Sequence, residues 1–128
     1  MARLMSMTNP KLNYRELSPL AFLELEETPL LLDVRSQFEF ELFHAPQAVN
    51  LSLQRLLLRD INFLAWNLPP WFRSLPLERP IAVICLTSHR SPIAAQHLSK
   101  KGYHQIYNIE GGMTHWQQMG LPVVRKSK

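Results

Sequence analysis

The stretch from Val83 to Gln96, VICLTSHRSPIAAQ, is an apolar run that stops at Cys85, turns through small polar residues to Arg90 and resumes as a helix-forming segment at Ser91. Cys85 is the chain's only cysteine. A loop wrapped between a strand end and a helix start turns successive backbone N–H groups inward and adds the positive end of the helix, which makes a cradle for an anion. The same field favours thiolate over thiol, and the Arg90 charge strengthens it. The residues therefore predict a nucleophile at Cys85 in a substrate-binding loop made of Leu86, Thr87, Ser88, His89, Arg90 and Ser91. The competing reading is a small hydrophobe closing a core strand, because free cysteine is among the most buried residue types. Strand-end position, loop and Arg90 together favour the nucleophile.

The surrounding elements must place that loop. Ser18 can cap and Pro19 can start a helix over Leu17 to Glu27, LSPLAFLELEE, with Leu20, Phe22, Leu23 and Leu25 as its apolar face. Short apolar runs over Pro29 to Val34, Ala48 to Leu53, Ile81 to Leu86 and Gln105 to Glu110 read as strands. Helical stretches lie between them: Phe38 to Phe43, a segment around Leu56 to Trp66, Ser91 to Lys101 with Gly102 as its stop, and Met113 to Met119 before Gly120. Alternating strands and helices predict an α/β fold, a largely parallel sheet covered on both faces. In such a sheet ligands bind beyond the carboxyl ends of the strands, where Cys85 falls.

A chain of 128 residues, 46% hydrophobic and 19% charged, suits one domain able to bury a core without disulfide or metal staples. The expected layout is a tail over residues 1–11, a single domain over 12–124 and a basic, frayed tail over 125–128. The four prolines of Asn67 to Pro80 predict a surface loop, whose Trp71 and Phe72 either line a pocket or partner site or tuck onto the core. The formal charge of +4 comes partly from the tails and lacks the dense basic face of a nucleic-acid binder. No apolar run approaches the ~20 residues that span a bilayer, and Met1 to Met7 lacks the apolar core of a signal peptide. With one cysteine, no internal disulfide can form, and the expected setting is soluble and cytoplasmic. His97, His104 and His115 lack metal-ligand spacing, so no metal and no cofactor is expected.

Three segments resemble those of rhodanese-like domains, in the family's order. Leu30 to Leu53 matches its first motif at Asp33, Val34, Arg35, Glu39, Phe40, His44, Pro46 and Ala48. Val83 to Ser91 resembles the active-site loop, a cysteine followed by four residues, arginine, and serine or threonine. Tyr107 to Val123 matches the closing segment at Glu110, Gly111, Gly112, Trp116, Gly120, Leu121 and Pro122. The resemblance implies a three-layer fold around a mostly parallel, five-stranded sheet, and it implies sulfur transfer. The thiolate would take the outer sulfur of a small anionic donor such as thiosulfate, become a persulfide, and pass the sulfur to cyanide, a thiol or a protein. Arg90 would hold the departing oxyanion.

The resemblance also separates relatives by loop length. Four residues lie between Cys85 and Arg90, where phosphatases and arsenate reductases of this fold have five and so a wider cradle. Leu86 and Ser88 stand where the family often has arginine and glycine, which removes a donor contact and predicts low turnover of thiosulfate. Phe43 and Gln47 also replace usual glycines. Asp33 and Arg35 are expected to brace the active-site loop by salt bridges, His44 to hydrogen-bond a turn and Glu110 to support the site from behind. His89 either tunes Cys85, contacts substrate or faces solvent. Two function classes stand: a persulfide-forming sulfurtransferase, and a sulfur-relay or regulatory module with little turnover of its own.

Overall fold

A computed structural model describes residues 13–58 and 68–126. The five-stranded sheet runs β1 (Arg15–Leu17), β6 (Ile106–Ile109), β5 (Ile81–Ile84), β2 (Leu30–Asp33), β4 (Ala48–Asn50) in spatial order, and every neighbouring pair is parallel. β5 lies at the centre and all four of its residues are buried, as an uninterrupted apolar run with both faces covered requires.

Side-chain alternation divides the core into two layers. On one face Leu32, Val34, Ile81, Val83 and Cys85 meet Leu56 of α3 (Leu53–Leu58), Phe72 of α4 (Pro70–Arg73) and Ala94, Ala95 and Leu98 of α5 (Ser91–Lys100). On the other, Leu31, Ala82, Ile84 and Ile109 meet Phe22 of α1 (Pro19–Leu23) and Met113 and Trp116 of α6 (Gly112–Gln118). The result is the expected three-layer α/β arrangement, with Cys85 on the α5 side. α2 (Gln37–Leu42) follows β2 and is closed by a reciprocal cap between Ser36 and Glu39.

Several sequence-based boundaries need correction. Leu17 ends a strand instead of opening a helix, and α1 stops at Leu23, although Ser18 does accept from Ala21 N–H as its cap and Pro19 is its first residue. β1 escaped notice because Arg-Glu-Leu has neither alternation nor an apolar run; backbone pairing to β6 makes it a strand. The proline-rich loop contains the short helix α4, where Phe72 is buried at 1% exposure and Trp71 stays 40% exposed, so the two aromatics part company. Phe43 leaves the helix, and with His44 forms β3 (Phe43–His44), antiparallel to β7 (Val124–Arg125). Arg125, read as part of the tail, pairs there with Phe43. The expected helix around Leu56 to Trp66 is described only as far as Leu58; its remainder, residue 67 and residues 1–12 lie outside the described residues.

Trp116 is fully buried, stands 6.4 Å from Phe22 between ring centres and donates its indole N–H to Pro122 O at 2.9 Å. Trp116→Ala is expected to cost about 3–5 kcal/mol of stability through the cavity it leaves, read as a loss of Tm in thermal unfolding.

Candidate active site

The loop after β5 is held from both sides. Behind it, Met113 N–H donates to Cys85 O at 2.8 Å and Thr114 N–H donates to Leu86 O at 3.0 Å. A planar trans peptide sets its N–H opposite to its C=O, so turning those two carbonyls into the start of α6 turns the N–H groups of Leu86 and Thr87 away from it. Gly112 allows the approach: its φ is +58°, and a Cβ there would lie 2.6 Å from Leu86 O and collide with Cys85 O. In front, Ser91 opens α5 and donates its backbone N–H to Cys85 Sγ at 3.3 Å.

Cys85 has no exposed surface. Burial pushes its thiol up, but the Ser91 hydroxyl and the backbone N–H groups of Ser91, Arg90 and His89 stabilise the thiolate by hydrogen bonds, and the net direction is below an ordinary thiol. Ser91 Oγ lies 3.4 Å from Sγ, where it accepts from the thiol and can donate to the thiolate. The carbonyl ties to α6 and the amide ring around sulfur together make a preorganised anion site.

The remaining loop residues divide. His89 is exposed and its Nδ1 lies 2.7 Å from Thr87 Oγ1, so that its ring engages the loop's own hydroxyl while its backbone serves Cys85. Leu86 packs partly buried against the α6-side core. Ser88 is the one described non-glycine residue with positive φ, 65°, which explains why a glycine suits this position. An L-residue in that conformation costs about 1–2 kcal/mol and needs compensation.

Arg90 lies otherwise than expected. Its guanidinium makes a two-pronged bond to Glu39 of α2, Nη1 to Oε1 at 2.7 Å and Nη2 to Oε2 at 2.9 Å. Arg90's hydrogen bonds, with help from Ser36 and against the push of burial, hold the Glu39 carboxyl down at about 2, so the pair stays ionised at any neutral or mildly acidic pH. Nothing in the sequence joined these residues, which are 51 positions apart. Beside the pair, Val34, Ser36, Ser52, Leu53, Gln54 and Arg90 line a groove of about 260 Å³.

Asp33 and Arg35 brace a different place from the one expected. They are fully buried and bond each other, Nη2 to Oδ2 at 2.9 Å and Nε to Oδ1 at 3.0 Å, while Arg35 also donates to Phe43 O and lies 5.0 Å from the Phe43 ring centre. Asn50 Nδ2 donates to the carbonyls of Asp33 and Arg35, both at 2.9 Å. The pair therefore locks the end of β2 to β3 and β4. It reaches the Cys85 loop only indirectly, because Val34 N–H donates to Ile84 O, one residue before Cys85. His44 stacks on Phe40 at 3.7 Å and its Nδ1 lies 2.7 Å from Phe40 O, fastening the end of α2. The Glu110 side chain is exposed, and its backbone supports the turn by accepting from His115 Nδ1 and donating to Leu17 O.

Sequence reasoning overlooked Gly112 as the residue that admits the loop, and also Asn108 and Glu16. Asn108 donates from Nδ2 to Glu16 Oε1 at 2.8 Å and to Ser88 Oγ at 3.1 Å. Its signal was a polar residue inside an apolar strand, Ile-Tyr-Asn-Ile. Among the described residues no group of three or more His, Cys, Asp or Glu could hold a metal, and no helix is long and apolar enough to cross a membrane.

A cysteine at the carboxyl end of a central parallel strand, ringed by loop amides and separated by four residues from an arginine, marks the class, and the family model for the rhodanese-like domain matches residues 18–119. The chain belongs to the rhodanese-like domain family. Among its relatives is the adenylyltransferase and sulfurtransferase MOCS3 of Drosophila grimshawi, 39% identical over 94 residues that make up 72% of this chain and 20% of that protein. Another is the thiosulfate sulfurtransferase GlpE of Vibrio cholerae, 28% identical over 73% of this chain and 76% of that one. The chain spans about a fifth of the length of MOCS3 and of the yeast relative uba4, and most of the length of GlpE. In structure it resembles a rhodanese-related protein of Thermoplasma volcanium with a TM-score of 0.69 and 29% identity, over 87% of this chain and 98% of that one. It also resembles the polysulfide-sulfur transferase homodimer of Wolinella succinogenes, with a TM-score of 0.65 and 29% identity over 90% and 81%.

Gly112→Ala is expected to displace the Cys85 and Leu86 carbonyls from α6. The measurable outcomes are a Tm lowered by several degrees and a Cys85 thiolate that forms at higher pH than in the wild type.

Proposed function

We propose that the chain is a sulfurtransferase that works through a Cys85 persulfide. The observation that carries this reading is the ring of donors on a buried sulfur: three successive N–H groups and the Ser91 hydroxyl favour the thiolate without any general base. The thiolate attacks the outer sulfur of a donor such as thiosulfate. A new S–S bond forms at Cys85 as the donor's own S–S bond breaks, and sulfite departs with the electron pair. An acceptor nucleophile, cyanide, a thiol or a protein thiol, then attacks the outer sulfur of the persulfide, and the electron pair returns to Cys85. Because Sγ has no exposed surface, a narrow terminal sulfur suits the loop better than a broad tetrahedral group does. Family membership, and relatives that bear the name sulfurtransferase, support sulfur transfer in general. A reducing compartment such as the cytoplasm suits a protein that acts through a free thiol.

The groove beside Arg90 offers the donor or acceptor a seat flanked by hydroxyl and amide groups. Glu39 accepts two of the five guanidinium donors of Arg90, so that the remaining edge can meet a departing oxyanion at a charge already partly neutralised. That sharing, with Leu86 in place of a second arginine, favours modest turnover of thiosulfate. It also supports the second reading, a relay module served by a protein donor or acceptor, which fits relatives named adenylyltransferase and sulfurtransferase in which such a domain is about a fifth of a longer chain.

Incubation with thiosulfate followed by mass spectrometry is expected to show one sulfur atom added at Cys85. Cys85→Ser should abolish both that adduct and thiosulfate:cyanide turnover while keeping the fold, because a hydroxyl is a poor nucleophile at neutral pH. Wild-type turnover in the serine variant would refute the assignment.

Arg90→Ala is expected to raise the KM for thiosulfate several-fold with little change in Tm, since its bond to Glu39 is partly exposed and worth only about 0–1 kcal/mol. A KM equal to that of the wild type would remove Arg90 from donor binding.

A further inference from the structure

Glu16, Asn108, Val83 and Leu32 pair in one register across the sheet, so their side chains share the face on which Cys85 lies two residues beyond Val83. Two members of this row are apolar; Glu16 and Asn108 are not. Both hydrogens of the Asn108 amide are spent, one on Glu16 Oε1 and one on Ser88 Oγ, while Ser88 Oγ passes its own hydrogen to Ile109 O at 3.2 Å. Asn108 is buried at 1% exposure, and its Oδ1 has no hydrogen-bond partner among the described residues. An amide buried for packing alone would satisfy both ends; this one is aimed by its donors only, toward the residue of the loop held at φ +65°.

We propose that Asn108 is a positioning residue for the nucleophile: its bond to Ser88 holds the loop in the left-handed turn that directs the following N–H groups of His89, Arg90 and Ser91 onto Cys85 Sγ. Glu16 fixes the amide's orientation by accepting its other hydrogen, and Ile109 O fixes the direction of the Ser88 hydroxyl. Glycine would occupy the same conformation unaided, so the tether is what lets this chain carry serine there. The proposal rests on Cys85 being the sulfur-transfer nucleophile, and its test is independent of turnover.

Because the chain has one cysteine, thiolate formation can be followed by ultraviolet absorbance against pH, with Cys85→Ser as the blank for tyrosine. Of the charged groups nearby, Arg90 with Glu39 and Asp33 with Arg35 are left unaltered in every variant used, whereas Glu16 loses its Asn108 donor in Asn108→Ala and keeps it in Ser88→Ala. Asn108→Ala releases the loop, withdraws donors from the thiolate and should raise the midpoint by about one pH unit. Ser88→Ala, which removes the tether from the other end, should raise it similarly. In a Ser88→Gly background, Asn108→Ala should produce little further change. A wild-type midpoint in folded Asn108→Ala overturns the proposal, as does an equal shift in the glycine background. If Asn108→Ala fails to fold, a wild-type midpoint in Ser88→Ala overturns it alone. Failure of the wild type to form a persulfide while these shifts occur would count against sulfur transfer and leave the tether standing.

Discussion

Two carbonyls turned into the start of a helix determine how the rest of this site is built. Once Cys85 O and Leu86 O accept from Met113 and Thr114, peptide planarity leaves the next N–H groups pointing the other way. The chain then climbs from the end of β5 to the start of α5 in the few residues between Cys85 and Ser91, passing through a left-handed residue at Ser88. The backbone of α6 must come close enough to accept no Cβ at position 112. The Gly111–Gly112 pair at the start of α6 and the Cys-to-Arg loop are thus one device, although they lie far apart in the chain.

Hydrogen bonds do most to favour the thiolate, with a lesser coulombic attraction between Cys85 and Arg90. The donors on Cys85 are a hydroxyl and backbone amides, and the nearest guanidinium is turned to Glu39. This arrangement suits a buried nucleophile. Amide donors fixed by an α5 start and an α6 clamp need no reorganisation when the thiolate forms, whereas a side-chain cation would have to be desolvated with it. The buried ion pair Asp33 with Arg35 is spent on the β2 corner, where Asp33 Oδ1 also accepts from Arg35 N–H and Arg35 also donates to Phe43 O. Its contribution to the site is mechanical, through the β2 to β5 pairing that ends beside Cys85.

The sequence made legible whatever depends on local pattern. The four apolar strands, the Ser18 cap, the Pro92 helix and the cysteine at a strand end all follow from periodicity, turn chemistry and composition within a window of a dozen residues. β1 did not, because Arg15, Glu16 and Leu17 are a strand only by virtue of the edge they pair with, and Glu16 then acquires a role in the site that its neighbours give no hint of. The direction of the Arg90 side chain was not readable, since its partner sits on a helix 51 residues earlier. The place that Asp33 and Arg35 brace was set by Asn50 and Phe43, which no spacing rule connects to them.

A persulfide moves the negative charge one atom outward from Sγ, and the cradle has to serve both positions. Sγ is enclosed, so the donors nearest it, Ser91 N–H and the Ser91 hydroxyl at 3.3 and 3.4 Å, are matched to the thiolate. The N–H groups of Leu86 and Thr87, turned away from α6 by the bonds on the carbonyls of their peptides, are further backbone donors of the same loop. On the sulfur-transfer reading, the outer sulfur of the persulfide would call on loop donors other than those at Sγ. A single rigid ring also accounts for the tolerance of Leu86 at its first position: the loop uses that residue's backbone, while the side chain turns to the α6-side core.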